Sequence, residues 1–164
     1  MSTSTVIRPV PPTTRNDIRP EVVAAFVTNV VRCLRATLGV EAVVATCAEA
    51  PASSSISVAL EFEGDVIGPV TWVFPPAIAL ELVRRLLAPN EPPPDSANDG
   101  ATELANILTG RATEVLEAHG FRCEMGAPRL HEGALPEGLQ VRMQTPKGPI
   151  DLVLSLARTT SDAA

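Results

Sequence analysis

Hydrophobic residues in the first half of the chain recur first with the period of a helix and then with that of a strand. Apolar side chains return every three or four residues from Pro20 onward, which predicts a helix that ends at Gly39. A β-branched run over 40–47 predicts a short strand. After a loop, alternating runs over 56–62 and 66–74 predict a hairpin of two half-buried strands. Because Pro69 interrupts the second run, we expect a sheet edge or a bulge there.

The same order of periods returns in the second half. A helix that begins at Pro75–Pro76 closes the first half, and a long helix from about Ser96 to His119 opens the second and ends at Gly120. Three strands are predicted after it, over 121–126, 139–143 and 150–156. The order α-β-β-β-α followed by α-β-β-β indicates an internal duplication. The predicted fold class is α+β, with an antiparallel sheet covered by helices.

Length and composition predict a single domain. The chain has 164 residues, 45% of them hydrophobic, which is enough to bury one core. No apolar run approaches the roughly 20 residues of a membrane span, and the first 19 residues lack the apolar core of a secretory signal. Three widely spaced cysteines favour a reducing compartment. We expect a cytoplasmic protein with a flexible arm over 1–19, one domain over 20–158 and a flexible tail over 159–164.

Charge and residue types argue against nucleic acid and metal as partners. Nineteen acidic residues oppose thirteen basic ones, so the formal net charge is −6 and no basic face for a polyanion is expected. Aromatic residues make up only 3% of the chain, too few for base-stacking platforms. The two histidines, His119 and His131, have no cysteine or histidine at metal-ligand spacing.

A polar stripe on the long helix is the informative feature. At about 100° per residue, Asp99, Glu103, Asn106 and Gly110 fall in one narrow band opposite the predicted core face, which comprises Ala101, Leu104, Ala105, Leu108, Ala112, Val115 and Leu116. An exposed glutamate is ordinary, and an aspartate near a helix start can be a cap. Asparagine is a poor helix former, however, and an interior glycine costs about 1 kcal/mol relative to alanine. We therefore interpret the stripe as a docking face, with Ile107 at its border as an apolar contact.

This stripe resembles the signature of the CheC/CheX/FliY chemotaxis phosphatases, which is Asp/Ser-x-x-x-Glu-x-x-Asn followed by glycine four residues later. The resemblance covers about 20–157, including Gly68-Pro-Val70 before an apolar strand and Pro128 after the motif helix. Pro128 lies about one residue closer to Asn106 than the family pattern has it, so the local bend is expected to differ.

Within that family the chain is most similar to the CheX branch, because it has one motif. When the two halves are overlaid on Gly39 and Gly120, Val22 and Ala25 stand where Glu103 and Asn106 stand in the second half. The first helix therefore has no second site.

The resemblance implies dephosphorylation of the aspartyl phosphate of a response-regulator receiver domain such as CheY, in chemotaxis or two-component signalling. Asn106 would orient the attacking water, and Glu103 would pair with the receiver's lysine. Gly110 would relieve a clash with the receiver, and Asp99 would cap the helix or add a second polar contact. The chain would need no cofactor of its own, because the receiver supplies the Mg²⁺.

Two other functions stay open on the sequence alone. The same fold can serve as a non-catalytic adaptor that binds a receiver or another chemotaxis or flagellar component, or as a structural oligomerisation module. Relatives of the CheX branch also imply a homodimer formed through sheet edges, and the run Ile150–Leu156 is the edge that looks least protected.

Overall fold

The computed structural model describes residues 18–45, 50–86 and 93–159. Its three α-helices are α1 (Pro20–Leu38), α2 (Pro76–Leu86) and α3 (Ala97–Ala118), the last preceded by a 3₁₀ turn over Pro94–Ser96. Its strands are β1 (Val43–Ala45), β2 (Ile56–Gly64), β3 (Val66–Phe74), β4 (Cys123–Met125), β5 (Arg129–Leu130), β6 (Leu139–Thr145), β7 (Gly148–Leu154) and β8 (Ala157–Arg158). The predicted helices and longer strands are confirmed, and β5 and β8 are additional.

All strand pairs are antiparallel, in the order β1-β6-β7-β3-β2-β4, with β5 on the outer side of β2 and β8 beside β3. This order reads the same from either end if β1, β2 and β3 of the first half are exchanged with β4, β6 and β7 of the second half, respectively. Four residues after each helix-ending glycine, Val43 pairs with Gln144 and Glu124 pairs with Glu63. The α+β class with a covered antiparallel sheet is therefore confirmed, with a two-fold arrangement of the two halves.

One hydrophobic core joins the three helices to the sheet. Alternate residues of the central strands supply its sheet side, among them Leu60, Trp72 and Leu152, and each of these is at most 1% exposed. The long helix α3 packs against both other helices and lies over β2 and β4. Its position at the centre of the helical layer gives it one buried face and one free face.

The expectation of a sheet edge or a bulge at Pro69 is wrong, because β3 is a central strand between β2 and β7 and no extra residue interrupts its register on either side. Pro69 pairs regularly with Glu61 on one side. On the other side it lies where β7 gives way to β8, and its carbonyl accepts a single hydrogen bond from the Ser155 amide at 3.1 Å. Proline has no amide proton to donate, and Pro69 lies where the hydrogen-bond ladder along this side of β3 is interrupted between β7 and β8. Next to it, Gly68 has φ 123°, and a Cβ there would stand 2.2 Å from the Ser155 carbonyl oxygen.

The prediction that Ile150–Leu156 forms an exposed edge is also wrong. Most of that run lies in β7, which pairs with β6 on one side and β3 on the other. Asp151, within this run, is buried and accepts hydrogen bonds of 2.7 and 2.8 Å from the Arg142 guanidinium. A strand that comes late in the chain takes a central place here because long-range pairing with β3 inserts it there.

Parts of the predicted arm and tail, together with Cys47, lie outside the described residues. At the start of the described chain, Ile18 is buried in the core. Cys33 is buried, and Cys123 is half-buried, where desolvation raises the pKa of its thiol. None of the described helices combines the length and the apolar character needed to cross a membrane.

Candidate functional site

The four residues of the predicted stripe, Asp99, Glu103, Asn106 and Gly110, lie along the free face of α3 and are called the α3 ridge below. Asp99 and Glu103 are exposed, whereas Asn106 and Gly110 are half-buried. Asn106 and Gly110 are therefore less exposed than their place opposite the predicted core face led us to expect. On the opposite face the predicted core residues are buried, apart from Val115, which is half-buried.

Glu103 and Asn106 have no hydrogen-bonded or ion-paired side-chain partner among the described residues. They stand three positions apart, which places their Cβ atoms about 5–6 Å from each other on one side of a helix. Further along α3, Glu114 instead forms an ion pair with Arg111, with 3.3 Å between the nitrogen and oxygen atoms. The middle of the ridge thus presents one carboxylate and one carboxamide that the described part of the chain leaves available.

Two contacts hold α3 in place on either side of this pair. The Trp72 indole N–H donates to the Thr109 hydroxyl at 2.9 Å, and both side chains are fully buried. Toward the start of the helix, a Cβ on Gly100 would lie 2.4 Å from the Ala79 carbonyl oxygen of α2. The backbones of α2 and α3 therefore approach each other too closely there for any residue but glycine.

Sequence reasoning missed both contacts. Gly100 carried a visible signal, since it is a glycine inside a helical pattern, as Gly110 is. The partner of Thr109 had no local signal, because Trp72 lies in a strand far away in the sequence.

Gly110 differs from Gly100 in its surroundings. A Cβ at Gly110 would meet only the Met125 methyl group, at 3.9 Å, which is an ordinary van der Waals distance. The packing of the described chain therefore does not require glycine at this position. Ile107 is half-buried and packs against the core, at the border of the free face as predicted.

An edge strand with a bulge flanks the ridge. Met125 of β4 pairs with Phe62 and Leu130 of β5 pairs with Val58, so the outer strand gains one residue between the two pairs. The Gly126 amide bonds to the Glu61 carbonyl at 2.8 Å within this bulge. The bulge separates the half-buried Met125, which lies beside Gly110, from Leu130, which is 47% exposed.

The described residues offer no metal cluster, and two grooves that they form lie away from the ridge. No group of three or more His, Cys, Asp or Glu side chains among them is placed to hold a metal ion. Two grooves of about 520 and 950 Å³ lie at the C-terminal end of α3, and both are lined by Gly120 rather than by ridge residues. The ridge lies on the free face of a helix rather than in either groove, an arrangement that suits a protein partner better than a small molecule.

Comparison with known protein families identifies a match over the segment that carries this ridge. The family model for "Chemotaxis phosphatase CheX" matches residues 56–146, which is more than half of the chain and includes all of α3. No curated protein matches the chain by sequence.

Solved structures with the same fold include several chemotaxis proteins. The chemotaxis protein CheX of Desulfovibrio desulfuricans is 16% identical with a TM-score of 0.66, over 85% of this chain and 99% of that one. CheX of Vibrio vulnificus is 21% identical with a TM-score of 0.65, over 87% and 100%. A CheX–CheY–BeF3–Mg²⁺ complex from Borrelia burgdorferi is 18% identical with a TM-score of 0.56, over 82% and 98%. At these identities the likeness shows a shared fold.

Proposed function

The chain belongs to the chemotaxis phosphatase CheX family, and we propose that it removes the phosphoryl group from the aspartyl phosphate of a CheY-like receiver domain in the cytoplasm. The observation that carries this proposal is the pair Glu103 and Asn106. Both project from the free face of a helix that is anchored on its other side, and the described residues leave both without a partner. In the Borrelia burgdorferi relative, a protein of this fold is bound to CheY, which supports a receiver as the partner here.

Asn106 orients the water in the proposed reaction. The water oxygen attacks phosphorus, and the bond from phosphorus to the receiver's aspartate oxygen breaks, which yields inorganic phosphate and a free carboxylate. A carboxamide suits this role because it both donates and accepts hydrogen bonds and stays neutral beside the phosphoryl oxygens. Phosphoryl transfer depends mainly on positioning and charge stabilisation, and a glutamine orients the water in GTPases in the same way.

Glu103 fixes the register of the complex in this proposal. Its carboxylate pairs with the receiver's lysine one helical turn from the point where Asn106 enters. The receiver supplies the phosphorylated aspartate and the Mg²⁺, so this chain needs no cofactor of its own.

The other predicted contacts flank the pair. Gly110 lets the partner approach the backbone of α3, where the chain's own packing leaves room for a side chain. Ile107 adds an apolar contact at the border. Asp99 does not cap α3 as one alternative expected, because it is the third residue of the helix, whose N-cap is Ser96, and no side-chain cap hydrogen bond forms there. Its negative charge in the first turn interacts favourably with the helix dipole and offers the partner a second polar contact.

The decisive experiment follows phosphate release from a phosphorylated receiver with and without the protein. We expect the protein to accelerate release, and Asn106→Ala to lower the rate on the order of a hundredfold, as removal of one positioned transition-state group does elsewhere. Asn98→Ala is the matched control, because Asn98 is an exposed asparagine on the same helix outside the ridge.

Full activity in Asn106→Ala would contradict the assigned role. No acceleration with any of several candidate receivers would contradict the phosphatase function itself. Tight binding without turnover would identify the protein as an adaptor instead.

A further inference from the structure

A directional hydrogen bond lies beneath the reactive part of α3. Trp72 is the chain's single tryptophan, and its ring stacks on Phe74 with centroids 5.7 Å apart and planes inclined by 6°. Its indole N–H donates to Thr109 Oγ1 at 2.9 Å. Both Trp72 and Thr109 have no exposed surface, so no water competes for this bond.

Thr109 is the only polar side chain among the buried residues of α3, all of whose positions are described. The others are small or aliphatic: Ala97, Gly100, Ala101, Leu104, Ala105, Leu108, Ala112 and Leu116. Hydrophobic contact is not directional, and a face built mainly of alanine and leucine resists a small rotation of the helix only weakly. The bond from Trp72 is directional, so it selects one rotation.

The close approach at Gly100 fixes the other end of the same segment. There the missing side chain sets the separation of α2 and α3, since a Cβ would stand 2.7 Å from Val83 Cγ2 as well as close to the Ala79 carbonyl. Glu103 and Asn106 lie between Gly100 and Thr109. Glu103 and Asn106 thus lie between Gly100, where the close contact sets the distance from α3 to α2, and Thr109, where the hydrogen bond sets the rotation of α3.

We propose that Thr109 and Trp72 are positioning residues for the phosphatase reaction: their hydrogen bond sets the rotation of α3 at which Asn106 enters the receiver site. This inference rests on the proposed function. Asn106 stands three residues before Thr109, so a rotation of the helix at Thr109 displaces the carboxamide sideways from the attacking water. A displacement of that kind lowers the rate of the chemical step while leaving most of the docking surface unchanged.

The test compares Thr109→Val, which keeps the shape and removes the acceptor, with Thr109→Ser, which keeps the acceptor. We expect Thr109→Val to lower kcat on the order of tenfold to a hundredfold, with the Kd for a beryllofluoride-loaded receiver almost unchanged. Thr109→Ser should retain kcat. Trp72→Phe removes the donor from the other side and should repeat the Thr109→Val result. Ile150→Val, a core substitution in β7, is the control for lost stability, and all assays are run where each variant is folded.

The indole proton of the single tryptophan gives a second readout that needs no receiver. Its NMR signal should shift and exchange faster with solvent in Thr109→Val, and keep its position in Thr109→Ser. Unchanged kcat in Thr109→Val overturns the inference, as does unchanged kcat in Trp72→Phe or an equal fall in Ile150→Val. If the unsubstituted protein shows no turnover, the proposed function fails and this inference fails with it; normal turnover in Thr109→Val removes this inference alone.

Discussion

Glu103 carries a charge that the described part of the chain does not balance. Some surface acids elsewhere in the structure have a cation close by, such as Glu41, which lies 2.9 Å from Arg35, and Glu61, which lies 3.5 Å from Arg129; others, such as Glu117 and Glu124, form no ion pair with the described residues. Glu103 has no such partner among the described residues. In the proposed complex the receiver's lysine fills that place, and the interface shields the pair from water.

We predict that Glu103→Ala weakens receiver binding. Truncating one side of a desolvated charge pair costs about 2–5 kcal/mol, because the other charge is left buried and unpaired. The measurement is a calorimetric titration with a beryllofluoride-loaded receiver, and the control is Glu41→Ala, which lies near the opposite edge of the sheet. Equal affinities for the protein and Glu103→Ala would show that Glu103 does not dock the receiver.

The helix α3 contains two glycines whose reasons differ. Gly100 is required by the fold, since α2 leaves no room for a Cβ there, whereas Gly110 faces only the tip of Met125. An interior helical glycine lowers stability in either case. Gly110 therefore lowers the stability of α3 without being required by the packing of the described chain. The proposed reason for a glycine here is that it lets the receiver approach the helix.

Substitution by alanine should separate these two roles. Gly110→Ala is expected to raise the free energy of unfolding by about 0.5–1 kcal/mol and to lower phosphatase activity. Gly100→Ala is expected to lower the free energy of unfolding by about 1–3 kcal/mol, because the helices must move apart. Urea unfolding measures both, and a Gly110→Ala protein that is more stable and fully active would remove Gly110 from the docking surface.

Across the whole molecule, the pair of Arg142 and Asp151 ties β6 to β7. The side chains are 9% and 2% exposed and meet through two hydrogen bonds. A buried pair of this kind contributes little net stability relative to apolar residues, but loss of one partner strands the other charge.

Asp151→Ala should accordingly destabilise the protein by about 3–5 kcal/mol. Glu114→Ala breaks an ion pair whose side chains are 60% and 62% exposed, and it should change stability by at most about 1 kcal/mol. Chemical denaturation of the two variants side by side measures the difference. Similar losses in both would show that the Arg142–Asp151 pair is effectively solvated.

The expected homodimer remains a prediction at the same scale. With β7 central, the ends of the main strand order are β1 and β4. Val43 of β1 is 64% exposed, which makes β1 the edge we expect to pair. Light scattering should then give twice the mass of one chain, and a Val43→Lys variant should give the mass of one.

Local sequence patterns were enough to predict the helices, the longer strands and the α3 ridge. The helical period alone placed Asp99, Glu103, Asn106 and Gly110 on one side of α3, because neighbours on a helix face are close in the sequence. The alternation in β2 and β3 likewise predicted their hairpin, whose turn is short.

Only the tertiary structure decided which strands are central and what holds α3. Three features depend on residues far apart in the chain: the central place of β7, the interrupted ladder beside Pro69, and the hydrogen bond from Trp72 to Thr109. Whether a strand lies at an edge depends on its neighbours rather than on its own residues, and how a helix is rotated depends on the surface beneath it. Hydrophobic period specifies the face that a segment buries, and packing against distant segments specifies what that face meets.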